Sequence, residues 1–148
     1  MIEFSKEPFQ IVEKNFNLIK EHWDEVVSDS RQLDPIWEVF YEYEKNGNLI
    51  CFTAKENENL IGYAVFLFVH DLHSRTSRTA YNDAIFLRKE YRKNGTGKMF
   101  IEYCDTELGN MNIQLILWHV KPTVDFSGLL KSIGYKHFNT LYAREVRG

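Results

Sequence analysis

With 148 residues, 44% of them apolar and 26% charged, the chain has the make-up of one globular domain, 1–148, able to bury a good core. A net charge of −3 disfavours a phosphate-tracking stripe, and the longest apolar run, Leu60 to Val69, is about half of what a membrane helix needs. Met1 to Pro8 lacks the apolar core of a signal peptide, and Cys51 and Cys104 have neither disulfide-framework nor zinc-site spacing, so a soluble cytoplasmic protein is expected.

Phe9, Val12, Phe16, Ile19, Trp23, Val26 and Val27 recur every three or four residues and predict one helix over 9–27. A polar loop, Ser28 to Arg31, leads to Asp34-Pro35, read as N-cap and first turn of a second helix that carries Ile36, Trp37, Val39, Phe40 and Tyr43. Asn46-Gly47-Asn48 stops it. Strands are predicted at Leu49–Ala54 and Leu60–Val69 around the polar turn Glu56 to Asn59, and at Thr79–Leu87. A helix follows Gly97 and ends near Gly109-Asn110; Ile113–Val120 then reads as a fully buried strand by its continuous apolar character. Phe126, Leu129, Leu130 and Ile133 form a short helix closed by Gly134, and Tyr135 to Val146 is a final extended segment. This order predicts an α/β sandwich with a mixed sheet.

The most informative stretch is Arg92-Lys93-Asn94-Gly95-Thr96-Gly97, between the strand Ala84 to Leu87 and the helix carrying Met99, Phe100, Tyr103 and Cys104. Two glycines let main chain approach a ligand closely, and the helix start presents unpaired N–H groups to an anion. Arg92, Lys93 and Lys98 add positive charge, and the turn reads as a pyrophosphate cradle. It is neither a P-loop nor a dinucleotide fingerprint: no Gly-Lys-Ser/Thr follows, and a third glycine is missing. Charge is uneven. Residues 75–98 hold seven bases against two acids, whereas 21–44 hold eight acids against Arg31 alone. That distribution reads either as solvated helix faces or as a bipolar surface for a polyanionic cofactor and a cationic acceptor.

Arg92-x-x-Gly95-x-Gly97 resembles motif A of the GNAT N-acetyltransferase superfamily, as do Tyr91 before it and the strand Asp83 to Leu87. Ser132-Ile133-Gly134-Tyr135 is similar to that family's Leu-Gly-Phe close, and the resemblance is strongest from about Leu49 to Tyr135. It implies a mostly antiparallel mixed sheet whose fourth and fifth strands splay apart, with helices on both faces. Acetyl-CoA would lie between those strands as co-substrate. Its pantetheine would pair with the edge of Ile85, Phe86 and Leu87. Its pyrophosphate would meet the amides of Arg92, Asn94, Gly95, Thr96 and Gly97, with Lys93 and Lys98 beside them.

The reaction implied is direct transfer of acetyl from the thioester to a primary amine, small molecule or protein. An amine of pKa about 10.4 arrives protonated and must lose a proton first. Asp83 is the first candidate base: it lies four residues before Leu87, and alternation puts Asp83, Ile85 and Leu87 on one face. The bland reading has it cap a bulge or pair with Arg78. His119 is the second candidate, against a satisfied buried histidine. Leu130 stands where many relatives carry a tyrosine acid, and Thr123 where asparagine is frequent, which leaves the acid to Tyr142, Tyr135 or no residue. Cys104 reads as core. His70 and His73 have His-x-x-His spacing but no third ligand, so no metal is expected.

Only 14 residues follow Gly134, so the acceptor site is expected to be open or completed by a second subunit. Its walls would include Trp23, Asp24, Asp29 and Asp34 and the His70–Arg78 loop, favouring a cationic acceptor. The competing reading is a non-catalytic acyl-CoA-binding sensor or partner-binding module. Nucleic-acid binding through 75–98 is a third, disfavoured by the overall acidity.

Overall fold

A computed structural model describes residues 1–147. Five strands form one sheet in the order β1-β2-β3-β4-β5: β1 (Ile2–Glu7), β2 (Leu49–Glu56), β3 (Asn59–His70), β4 (Arg78–Leu87) and β5 (Leu115–Leu117). The first four pair antiparallel, and β4 with β5 is parallel. The expected fold class, mostly antiparallel α/β with helices on both faces, is the one observed.

Alternation along β2 explains the two-layered core. Ile50, Phe52 and Ala54 face one way, onto Phe100, Cys104 and Leu108 of α4 (Thr96–Gly109). Leu49 and Cys51 face the other way, onto Phe9, Val12 and Leu18 of α1 (Gln10–Glu13) and α2 (Phe16–Val26). Phe9 stacks on Phe40 of α3 (Trp37–Lys45) with ring centroids 4.6 Å apart, and Phe4 of β1 stacks on Phe100 at 5.2 Å. Cys104 is fully buried, as expected of a core residue. The β2–β3 turn has Asn57 and Glu58 at φ 51° and 73°, the left-handed pair that suits the twist of a two-residue hairpin.

Several expectations are corrected. The 9–27 helix is two helices: the chain leaves helical geometry at Asn15 (φ −112°, ψ 49°), and the Asn15 side-chain amide donates to Ile11 O, an alternative that competes with the helix ladder. Asp34 does not cap α3; Ile36 holds the position before it. Residues 2–7, assigned no element from sequence, form β1, because pairing with β2 outweighs their charged composition. β5 is three residues long and partly exposed rather than a buried strand over 113–120. The segment after α5 (Ser127–Ser132) makes no strand among the described residues.

Gly62 lets β3 and β4 meet beside the C-terminal half of β4. A Cβ there would lie 2.6 Å from Phe86 O and 3.2 Å from Leu87 Cα, both backbone atoms that cannot swing away. Gly62→Ala is therefore expected to cost about 1–3 kcal/mol, as overpacking does. Chemical denaturation checks this; an unchanged midpoint refutes the close-approach argument.

Candidate functional site

β4 and β5 share only three rungs, Thr79–Leu115, Ala80–Ile116 and Tyr81–Leu117, and then part. Asn82 sits at the fork, 6% exposed. Its side-chain amide donates to His119 O at 3.1 Å, and its Oδ1 accepts from the His119 N–H. One side chain thus serves both main-chain groups of His119 that a continued ladder would have used. Above the fork lies a cleft of about 460 Å³, walled by Asp83 to Leu87 on one side and His119, Lys121 and Val124 to Phe126 on the other.

The register of β3 against β4 slips where Val65 faces Ala84 but Phe66 faces Asn82, leaving Asp83 as the extra residue of a bulge. Strict alternation therefore does not carry through Asp83, and the argument that it shares a face with Ile85 and Leu87 is corrected. Asp83 still lines the cleft. Asp83 is exposed to the open cleft, yet desolvation by the surrounding walls raises its carboxyl above the usual aspartate value, while nearby His119 pulls it back. Arg78, its suggested bland partner, instead donates to Gly47 O at 2.6 Å and covers the Phe68 ring.

At the other end of β4 a 3₁₀ turn leads into the Arg92–Gly97 loop. Asn94 and Gly95 both have positive φ, 55° and 76°, which asparagine tolerates and glycine adopts freely. The Arg92 N–H is used by Lys89 O and the Thr96 N–H by Lys93 O, so the expected five-amide cradle is corrected. Lys93, Asn94, Gly95, Gly97 and Lys98 are the amides of this stretch that have no acceptor among the described residues. No other part of the protein lies within 4 Å of where a Cβ on Gly97 would sit, so this helix start faces open space. Ile85, Phe86, Leu87, Arg92, Lys93, Gly95, Thr96, Gly97 and Lys98 all line the cleft; Asn94 adjoins it through the turn.

The Arg92 guanidinium is a brace. Its Nε donates to Leu87 O at 2.6 Å and its Nη2 to Glu25 Oε1 at 2.6 Å, with Phe86 beneath it. Glu25, also paired with Lys89 at 3.4 Å, thereby fastens α2 to the loop. Burial alone would raise the Glu25 carboxyl, but the hydrogen bonds and charges of Arg92 and Lys89 carry it below the usual glutamate value. Thr123 Oγ1 donates to Val26 O at 2.9 Å and closes the same corner from the β5 side.

The solved structures similar to this one span almost the whole chain, each at low identity. A predicted acetyltransferase of Clostridium acetobutylicum, solved with acetyl-CoA, has a TM-score of 0.78 at 18% identity, covering 99% of this chain and 97% of that one. A ribosomal-protein-alanine N-acetyltransferase of Brucella melitensis has 0.77 at 11%, covering 100% and 99%. An aminoglycoside acetyltransferase from an uncultured soil metagenome, solved with sisomicin, has 0.73 at 14%, covering 99% and 97%. No curated protein matches the sequence. The model of the acetyltransferase (GNAT) family matches residues 13–129. The chain belongs to the GNAT acetyltransferase family. Acetyl transfer with acetyl-CoA as co-substrate is accordingly its class of chemistry.

Within this GNAT domain the remaining predicted residues lie apart from the cleft lining. Tyr142 is 94% exposed on the segment after α5, so the structure does not bring it to the site. Tyr135 donates to Asp105 beside α4, and burial raises its hydroxyl far above the usual value. Trp23 lies under the Arg31 guanidinium, Asp29 is paired with Arg31 at 2.7 Å, and Asp34, His70 and His73 are exposed; none of the five lines the cleft. Beyond β4 and the Arg92–Gly97 loop, the cleft is lined instead by His22, Glu25 and Val26 of α2 with Lys121, Asp125 and Phe126 among others. Among the described residues no His, Cys, Asp and Glu group could hold a metal, and no helix is long and apolar enough to cross a membrane.

His22 is the residue that sequence reasoning missed. Its ring stacks on Phe86 at 5.1 Å, and its Nδ1 lies 2.9 Å from the Tyr63 hydroxyl. Burial pushes the imidazole down to about 4, against the upward pull of Glu25 and with help from Arg92 and Lys121, so it is neutral near pH 7. The only sequence signal was a polar residue one step from the apolar stripe of α2.

A depressed carboxyl stabilises the fold above the ordinary glutamate value of 4.5, and that contribution is lost as pH falls through the lower folded value. Glu25→Gln should lower the thermal midpoint at neutral pH and converge with wild type in strong acid. Parallel curves across that range would show that the Glu25–Arg92 brace carries no stability.

Proposed function

We propose that this protein transfers acetyl from acetyl-CoA directly to a primary amine, with a cationic acceptor favoured. One observation carries the reading: a strand edge, Ile85 to Leu87, that no neighbouring strand pairs, and the free amides leading into α4 line one cleft between parted strands. The edge suits the amide-rich pantetheine arm, which pairs as an added strand does, and the amides with Lys93 and Lys98 suit the pyrophosphate. Main chain at the β4 edge polarises the thioester carbonyl as a preorganised dipole.

Asp83 takes the proton from the ammonium, with His119 beside it on the opposite wall. Its raised carboxyl supports this, because a base of higher pKa is better matched to the amine. The amine nitrogen then attacks the thioester carbon, the N–C bond forms and the C–S bond breaks. No covalent cysteine intermediate is needed, and burial pushes the Cys51 thiol up to about 12 and the Cys104 thiol further. Asp83 and Asp125 are the cleft carboxylates not held by an arginine, and they support a cationic acceptor.

A buried Leu130, where relatives carry a tyrosine acid, favours a second reading, a module that binds acyl-CoA without turnover. Thiol release measured over a panel of cationic and neutral amines separates the two. Turnover with cationic amines is expected; coenzyme binding without thiol release across the panel would support the module, and equal rates on neutral amines would remove the charge preference. Gly97→Trp should abolish acetyl-CoA binding by calorimetry, since the indole fills the open space before the amides. Asp83→Asn should leave that binding intact and slow turnover by about 10²- to 10⁴-fold, the usual worth of a general base. Full activity in Asp83→Asn would move the base role elsewhere.

A further inference from the structure

We propose that His22 is a second catalytic side chain of this cleft, donating its Nε2–H to the coenzyme sulfur as the thioester C–S bond breaks. The inference rests on the acetyl-transfer reading above and supplies what Leu130 leaves open, a group that meets the leaving thiolate.

Hydrogen-bond accounting sets the tautomer. Tyr63 is 2% exposed, and its hydroxyl has His22 Nδ1 as its only hydrogen-bond partner among the described residues. Were the ring proton on Nδ1, that N–H would point at the phenol oxygen and the buried hydroxyl proton would have no acceptor, which is costly. The lower-energy arrangement has Tyr63 donating to Nδ1, which puts the proton of a neutral ring on Nε2.

Accessibility sets where that proton points. Nε2 has no protein partner, yet Trp118 Nε1 is the only buried, unpartnered side-chain N or O atom among the described residues. Nε2 is therefore open, and the space His22 opens on is the cleft. Stacking on Phe86 fixes the ring beside the middle of the Ile85–Leu87 edge, where the proposed pantetheine arm ends. In that pose the β4 edge serves the carbonyl oxygen, Asp83 and His119 face the amine from the fork, and the sulfur is left for the α2 wall. The step balances. The nitrogen lone pair forms the amide bond, and the C–S electron pair leaves on sulfur. The ammonium gives one proton to Asp83 before attack; the nitrogen, cationic once the N–C bond has formed, gives a second to solvent in the open cleft; and the thiolate, stabilised by the Nε2–H without removing it, takes one proton from solvent. Neutral imidazole is suited to donate here because it does not itself give up the proton. Tyr63 is a positioning residue, acting through His22.

The test uses the full chain. His22→Phe keeps the stack on Phe86 and removes the donor. Its kcat should fall about tenfold to a hundredfold, at or below the usual loss for one preorganised donor, while KM for acetyl-CoA changes less than about threefold. His22→Gln, which retains an N–H, should recover part of the loss, and Tyr63→Phe should lose only a few-fold in kcat. Wild-type kcat in His22→Phe, or a loss carried by KM alone, overturns the proposal. Imidazole ¹⁵N NMR of the wild-type protein provides a second readout that needs neither a variant nor turnover. The Nε2–H tautomer is expected, with the Nε2 resonance moving as coenzyme A saturates the site. A Nδ1–H tautomer, or an Nε2 resonance unmoved at calorimetric saturation, overturns it as well. Failure of the wild type to acetylate any amine would instead count against the acetyl-transfer reading, and the titration would still report on the donor.

Discussion

Separating two neighbouring strands of a sheet strips main-chain N–H and C=O groups of their partners, and everything about this site follows from how that cost is met. Below Tyr81 and Leu117 the ladder is intact; above it, Asn82 supplies side-chain substitutes for both groups of His119. An asparagine suits the position because it offers one donor and one acceptor at the spacing of a peptide. With the fork satisfied, the remaining β4 edge, Ile85 to Leu87, has no partner strand, and only its Leu87 carbonyl is taken, by Arg92.

That edge is held open by contacts at its far end. Arg92 binds the last carbonyl of β4 and the Glu25 carboxylate of α2, so the loop before α4 and the helix that lines the same cleft share one ion pair. The sequence reading counts Arg92 as free positive charge for the coenzyme. The structure uses that charge internally, and in the proposed reading the anion is left to main-chain amides, Lys93 and Lys98. Rigid placement favours this division: amides fixed by the Asn94–Gly95 turn need no reorganisation when a ligand arrives.

Polar chemistry in the cleft is spread over elements far apart in sequence. Asp83 comes from the β4 bulge, His119 from the end of β5, and His22 from α2 under the control of Tyr63 in β3. Burial shifts Asp83 and His22 in the direction their charge dictates, the Asp83 carboxyl upward and the His22 imidazole downward.

Local chemistry determined much of this protein. The Arg92–Gly97 turn, the β2–β3 hairpin and the α4 stripe of Phe100, Cys104 and Leu108 were legible because each depends on φ preferences or a period carried by adjacent residues. Strand β1, the shortness of β5 and the break at Asn15 were not, since pairing partners and competing side-chain bonds decide them. Asp83 was named from its distance to Leu87 and His119 from the end of an apolar run, and both line the cleft, but the bulge at Asp83 depends on register with β3. His22 was invisible for a stronger reason. Its meaning comes from a hydroxyl 41 positions away, and no local pattern records a contact that exists only once the helix has packed on the sheet.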